Sequence, residues 1–169
     1  INIRLSNATL SDLPESVIRP TYDRSKVTPG ILHFGLGAFH RSHQALTIDR
    51  LLEKGLANDW GIVGVGLLAN DFKMRDALIP QDCLYTLITK HADGKQDFQV
   101  IGSIIDYLFA PDSPAKVIEK LIDPAIRIVS LTITEGGYSF DRATGEFDPN
   151  TPGVKEDIKD STNPISAFG

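Results

Sequence analysis

Gly35-Leu36-Gly37-Ala38-Phe39-His40-Arg41 places two glycines one residue apart at the end of an apolar run, where a chain leaves a strand and enters a helix. Glycine at the first position permits a tight turn, and glycine at the second lets a ligand approach the backbone, as a dinucleotide pyrophosphate requires. His40 stands where the G-x-G-x-x-G pattern has its third glycine, so spacing alone leaves two readings, a cofactor turn and a purely structural strand-to-helix turn. Arg41 carries a planar fork that suits a phosphate, and it suits a solvated first-turn position equally well. Asp71, with Asn70 beside it, is the carboxylate best placed near the end of a second strand to accept hydrogen bonds from adenosine ribose hydroxyls. It comes later than the spacing of about 20 residues of the simplest unit, and by itself it also fits a helix N-terminus.

A second group lies at Thr132-Ile133-Thr134-Glu135-Gly136-Gly137-Tyr138, the expected carboxyl end of a later strand, which is the sheet edge where open α/β proteins hold ligands. Glu135 can relay or orient a proton if it faces a reacting centre, and otherwise reads as a polar loop residue. His40 and His43 have the i, i+3 spacing of a metal pair, but no third ligand stands at a recognisable distance and Cys83 is the only cysteine, so no metal is expected. The acidic residues from Asp141 to Asp160 show no metal-loop spacing and read as a solvated surface.

The elements that must position these residues follow from hydrophobic periodicity. Residues 1–29 carry three prolines and no sustained period, which predicts an arm lying over a domain of residues 30–169. Gly30 to Gly35 and Gly61 to Val65 are short apolar runs of the kind buried on both faces of a parallel sheet. Between them, His40 to Lys54 has Ala45, Ile48, Leu51 and Leu52 on one helical face, with Gly55 as a stop. A short helix is expected from Asp71 to Leu78, ended by Pro80. Leu84 to Thr89 and Phe98 to Ile101 flank Asp93-Gly94 as a hairpin. Ser113 and Pro114 open a helix with an apolar stripe ending at Asp123-Pro124, and Ile126 to Thr132 is a further strand. The pattern predicts an open α/β fold. Its sheet is mostly parallel, with helices on both faces and a hairpin insertion, and completing a doubly wound sheet would need further strands beyond Gly169.

The formal net charge of −5 gives no footprint for phosphate backbones or anionic lipid, so nucleic acid and membrane are not expected partners. The longest uncharged apolar run, Gly61 to Ala69, is too short to span a bilayer, and no secretion signal opens the chain, which suggests a cytoplasmic protein. The lack of an initial methionine and the loop-like Ser161 to Pro164 stretch suggest fragment ends.

Several blocks together resemble the mannitol dehydrogenase family of long-chain, zinc-independent polyol dehydrogenases. They are Gly35 to Gln44, Gly64-Val65-Gly66-Leu67, Gln81-Asp82-Cys83-Leu84-Tyr85-Thr86-Leu87, and Ile128 to Tyr138, in the family's order and covering most of the chain. The resemblance implies a Rossmann-type domain in which Gly35, Gly37, Phe39 and Arg41 form the phosphate-binding turn and Asp71 contacts adenosine ribose, favouring NAD over NADP. His40 in place of the third glycine is the family's own pattern. The resemblance also implies a second, mostly helical domain that supplies a catalytic lysine in a Lys-x5-Asn-x2-His pattern, and no such pattern occurs in this chain.

The function so implied is NAD-dependent interconversion of a polyol and a ketose, mannitol and fructose first. This chain would supply the cofactor site and be inactive alone. Glu135 would then connect the lysine to solvent. Uronate reductases and arabinitol dehydrogenases share the same blocks. A rival of a different class is a non-catalytic nucleotide-binding module, and the length of the open reading frame discriminates the two.

Overall fold

The computed structural model describes residues 4–132, 138–141 and 143–162, and the chain divides into two compact units, Ile1–Thr132 and Ile133–Gly169. The first unit is built on a parallel four-stranded sheet. Its strands are β2 (Pro29–Phe34), β3 (Gly61–Gly66), β6 (Ile104–Phe109) and β7 (Ile128–Leu131), in the spatial order β6-β3-β2-β7. A second sheet has the order β1-β5-β4. In it β4 (Tyr85–Lys90) and β5 (Gln96–Ile101) pair antiparallel, and the two-residue β1 (Val17–Ile18) adds in parallel.

The apolar runs of β2 and β3 are uninterrupted because both faces of the four-stranded sheet are covered. Ile31 and Ile62 belong to a core with Ala45, Leu78, Tyr85, Ile101 and Ile104, whereas their neighbours Leu32 and Val63 pack on the other face with Val65 and Val117. Successive side chains of a strand point to opposite faces, so this alternation requires helices on both. The first face is covered from α2 (Gln44–Glu53) and α3 (Phe72–Leu78), and the second from α4 (Pro114–Leu121). Burying these side chains gives roughly 1.5–3 kcal/mol each relative to exposure, which is why the strands hold together without local propensity from glycine-rich β3.

Several expectations are altered in detail. The helix expected from His40 to Lys54 is two helices, α1 (Ala38–Ser42) and α2, separated at His43 with φ −122° and ψ −77°. Gly55 ends α2 with φ +68°, its N–H donating to the Leu52 carbonyl while that of Leu56 reaches back to Leu51, the paired bonds of a Schellman stop. Ser113 holds the cap position of α4 without a side-chain bond, so Pro114 alone marks that start chemically. The arm is tied into the fold through β1 and through a series of 3-10 turns.

β6 was not anticipated, because Asp106 and Tyr107 interrupt the apolar pattern on a strand that lies at the sheet edge. In the second unit, α5 (Pro152–Lys159) occupies part of the acidic stretch read as solvated surface. Glu156 is exposed as expected, and its carboxylate pairs with Lys159 at 2.8 Å, but Val154 is buried.

The arm and the second sheet meet the main sheet at two polar side chains. Arg24 donates through Nε to the Gly102 carbonyl at 2.9 Å, and through Nη2 to the carbonyls of Asp82 at 2.8 Å and Ile104 at 2.9 Å. It thereby braces the Asp82-Cys83 turn, where two consecutive residues take positive φ of 52° and 61°. Asp49, 1% exposed on α2, accepts from the Tyr22 hydroxyl at 2.7 Å, the Gly102 N–H at 2.8 Å and Gln99 Nε2 at 3.3 Å. Burial raises the Asp49 pKa above the ordinary carboxylate range, and these three donors oppose that shift. Removing the carboxylate orphans three donors drawn from the arm, β5 and the turn before β6. Asp49→Ala is expected to destabilise the fold by about 2–4 kcal/mol, read from denaturant unfolding. A loss below about 0.5 kcal/mol would show that the arm is held by something else.

Candidate dinucleotide site

The order β6-β3-β2-β7 places a topological switch point between β2 and β7. The chain leaves β2 toward β3 on one side, and returns from β6 through α4 to β7 on the other. Open α/β sheets form their ligand crevice outside the carboxyl ends of the strands at such a point. Gly35 stands there, immediately after β2, with φ +82°, a conformation that a side-chain-bearing residue adopts only at a cost. Its N–H donates to the Val65 carbonyl at 2.8 Å, which anchors the turn to β3. A Cβ built on Gly35 or Gly37 would meet no atom of the described residues within 4 Å, so among them the turn presents open space where a ligand can approach the backbone. The first N–H groups of α1 have no intrahelical acceptor and lie in the same turn.

Leu36 points the other way. Its side chain is 4% exposed and fills the volume that a side chain on Gly64 of β3 would occupy. Two residues later in the same strand, a Cβ on Gly66 would collide with the Tyr107 hydroxyl and lie 2.8 Å from the Asp71 Cβ. Gly64 and Gly66, which in the sequence stand only within an apolar strand and a block of the family resemblance, are thus a signal of the site. They let the first turn and the residue after the second strand settle close to the sheet.

The predicted site residues fall into two groups. Gly35, Gly37, Phe39 and Arg41 share the turn and α1. Phe39 is 65% exposed and stacks on His43 with ring centroids 4.3 Å apart. Arg41 donates from Nη1 to the Leu36 carbonyl and lies 3.6 Å from Met74 Sδ, with its guanidinium 5.8 Å from the centre of the Tyr85 ring. The Tyr85 hydroxyl in turn donates to the Arg41 carbonyl at 2.6 Å. One arm of the Arg41 fork therefore clamps the glycine turn itself rather than facing open space. Asp71 closes a 3-10 turn, Ala69–Asp71, after β3. Its Oδ2 accepts from the Leu68 N–H at 2.9 Å, and Oδ1 takes no hydrogen bond among the described residues. Glu135 lies outside the described residues.

Beneath the turn, His33 and His40 are stacked with ring centroids 3.7 Å apart and planes 15° from parallel. His33 is hydrogen-bonded through Nδ1 to the Ser130 hydroxyl at 2.8 Å and through Nε2 to that of Thr132 at 3.3 Å, linking β2 to the carboxyl end of β7. His40 is 1% exposed, and neither ring nitrogen has a hydrogen-bond partner among the described residues. Burial, and after it the neighbouring charges of His33 and Arg41, hold the His40 pKa down to about 3, while burial also lowers that of His33. Among the described residues no three His, Cys, Asp or Glu side chains come together as a metal site, and no helix is long and apolar enough to cross a membrane.

The chain is similar to known proteins in both sequence and fold. The sequence pattern of the mannitol dehydrogenase Rossmann domain fits residues 29–165. A polyol:NADP oxidoreductase of Gluconobacter oxydans is 45% identical over 167 residues, covering 98% of this chain and 34% of the relative. A mannitol 2-dehydrogenase of Cereibacter sphaeroides is 46% identical over 157 residues, covering 93% and 32%. Among solved structures, the mannitol 2-dehydrogenase of Pseudomonas fluorescens in a ternary complex with NAD and D-mannitol superposes with a TM-score of 0.87 at 43% identity, covering 98% of this chain and 34% of that one. A substrate-free D-sorbitol dehydrogenase gives 0.82 at 44%, covering 97% and 34%. The chain spans about a third of the length of the relatives it matches.

The lowered histidine pKa values fix the sign of an acid effect. Unfolded imidazoles protonate near 6.5 and the folded pair resists protonation. The stability held in the neutral pair is therefore fully present above about pH 6.5 and is lost as the pH falls toward about 3. His40→Phe keeps an aromatic ring on His33 and removes one titration, so its Tm should fall less steeply between pH 7 and 4 than that of the unaltered protein. Parallel curves would exclude His40 as a source of acid lability.

Proposed function

The chain belongs to the mannitol dehydrogenase family, and from that premise we propose that it is the dinucleotide-binding part of an NAD-dependent polyol dehydrogenase interconverting a polyol and a ketose, mannitol and fructose foremost. The observation that carries the reading is the geometry at the switch point. Among the described residues, an open glycine turn stands after β2, and a carboxylate with one oxygen that takes no hydrogen bond stands after the neighbouring β3. The turn N–H groups and the free donors of Arg41 receive the pyrophosphate, and Phe39 gives the exposed turn an apolar flank. Asp71 accepts through Oδ1 from an adenosine ribose hydroxyl. NAD, when bound, supplies the hydride acceptor.

The same carboxylate disfavours a 2′-phosphate by charge repulsion, which supports NAD over NADP. The name of the Gluconobacter relative makes that preference the informative quantity to measure. Oxidation of an alcohol also requires a base within hydrogen-bond reach of its hydroxyl. We place that base outside these 169 residues, with Glu135 as a proton relay toward solvent, so this chain by itself would hold cofactor without turning over mannitol.

The test is binding of NADH and NADPH, followed by nicotinamide fluorescence. Gly35→Val, which puts a branched side chain at positive φ in the turn, should weaken NADH by about tenfold or more. Asp71→Ala should weaken NADH while leaving NADPH unchanged or tighter. Equal losses for both dinucleotides in Asp71→Ala would remove Asp71 from the ribose site, and unaltered affinity in Gly35→Val would remove the turn.

A further inference from the structure

Asp71 is useful to a ribose only if its carboxylate is held still, and the bond from the Leu68 N–H to Oδ2 fixes it only within its own turn. That turn must also be fixed to the sheet. A side chain of β6 reaches it from there. Tyr107 of β6 is 5% exposed and packs in the core with Ile31, Leu36 and Tyr85, and its hydroxyl donates to the Asp71 backbone carbonyl at 3.3 Å. The tyrosine lies directly opposite Gly64 in the β3–β6 register. The missing side chain of Gly66 is what brings the hydroxyl and Asp71 together, since any Cβ there would occupy the space between them. A deeply buried ring anchors the hydroxyl, and an exposed loop, residues 67–70, leads into the half-buried Asp71.

From this geometry we propose that Tyr107, seated through Gly66, is a positioning residue for Asp71 and sets how strongly the site distinguishes a dinucleotide with a free ribose diol from one with a 2′-phosphate. The proposal rests on the reading of Asp71 as the ribose ligand. Tyr107 touches neither dinucleotide in this account and acts through the loop. Burial and then the Asp71 charge push the Tyr107 hydroxyl up to about 12, so it stays a neutral donor across the working range. When the hydroxyl is removed the loop keeps its local Leu68 bond but loses its tie to β6. The carboxylate then samples positions from which it neither grips the diol nor repels a phosphate as well.

Tyr107→Phe keeps the packed ring and deletes only the hydroxyl. In the full-length protein, titrated with NADH and with NADPH, this variant should lower the ratio of the two dissociation constants by about three- to tenfold. NADH should weaken, NADPH should change little, and Tm should fall only slightly. A general loss of stability would weaken both ligands together and leave the ratio alone, so the ratio separates positioning from folding. Gly66→Ala should move the ratio in the same direction, because it forces the hydroxyl and Asp71 apart. If the unaltered protein prefers NADH and Tyr107→Phe keeps the full ratio, the inference is wrong while the ribose reading stands. If the unaltered protein shows no preference for NADH, or does not bind it, the ribose reading fails and takes the inference with it.

Discussion

Everything at the candidate site depends on the close approach of chain segments to β3, and β3 permits that approach because it lacks side chains at two alternate positions. Gly64 leaves room for Leu36, which pulls the first turn down onto the sheet, and Gly66 leaves room for Asp71 and the Tyr107 hydroxyl. Side chains of a strand alternate between faces, so two glycines separated by one residue clear the same face twice. The central strand is therefore built less for strand propensity than for access, and its burial on both faces supplies the stability that glycine does not.

The polar groups below the site follow the same economy. His33 joins β2 to β7 through two hydroxyls, and His40 lies flat on His33, so the glycine turn rests on a layer linked to both strands of the switch point. The layer is neutral because a charged imidazole cannot be solvated there. Asp49 and Arg24 do comparable work at the other side, tying the arm and the second sheet to the turn before β6. Those contacts hold the frame, and among the described residues nothing closes the turn after β2.

Much of this was legible in the residues. The strands β2, β3 and β7 and the hairpin β4–β5 follow from apolar runs and from Asp93-Gly94, because full burial and a positive-φ turn leave strong marks in sequence. The break at His43 was not legible, since the apolar face from Ala45 to Leu52 lies wholly within α2 and marks no boundary before it. β6 was hidden by its edge position, where Asp106 can face water, and α5 by charges that mask a single buried Val154. At the site, glycine spacing pointed to the turn, and its place after the second strand, with the family resemblance, pointed to Asp71. The clamp of Arg41 on the Leu36 carbonyl and the reach of Tyr107 to Asp71 were not legible, because both run to backbone carbonyls, which carry no residue identity.

The central claim is that the open face of the Gly35 turn and the free oxygen of Asp71 receive the two ends of one adenosine diphosphate moiety. A crystal structure of the protein with NADH bound tests it most directly. The account predicts the pyrophosphate against the backbone of Gly35 to Phe39 and a ribose hydroxyl within hydrogen-bond distance of Asp71 Oδ1, with the His33–His40 layer unmoved beneath. A pyrophosphate bound away from that turn, or an adenosine ribose out of reach of Asp71, would contradict it.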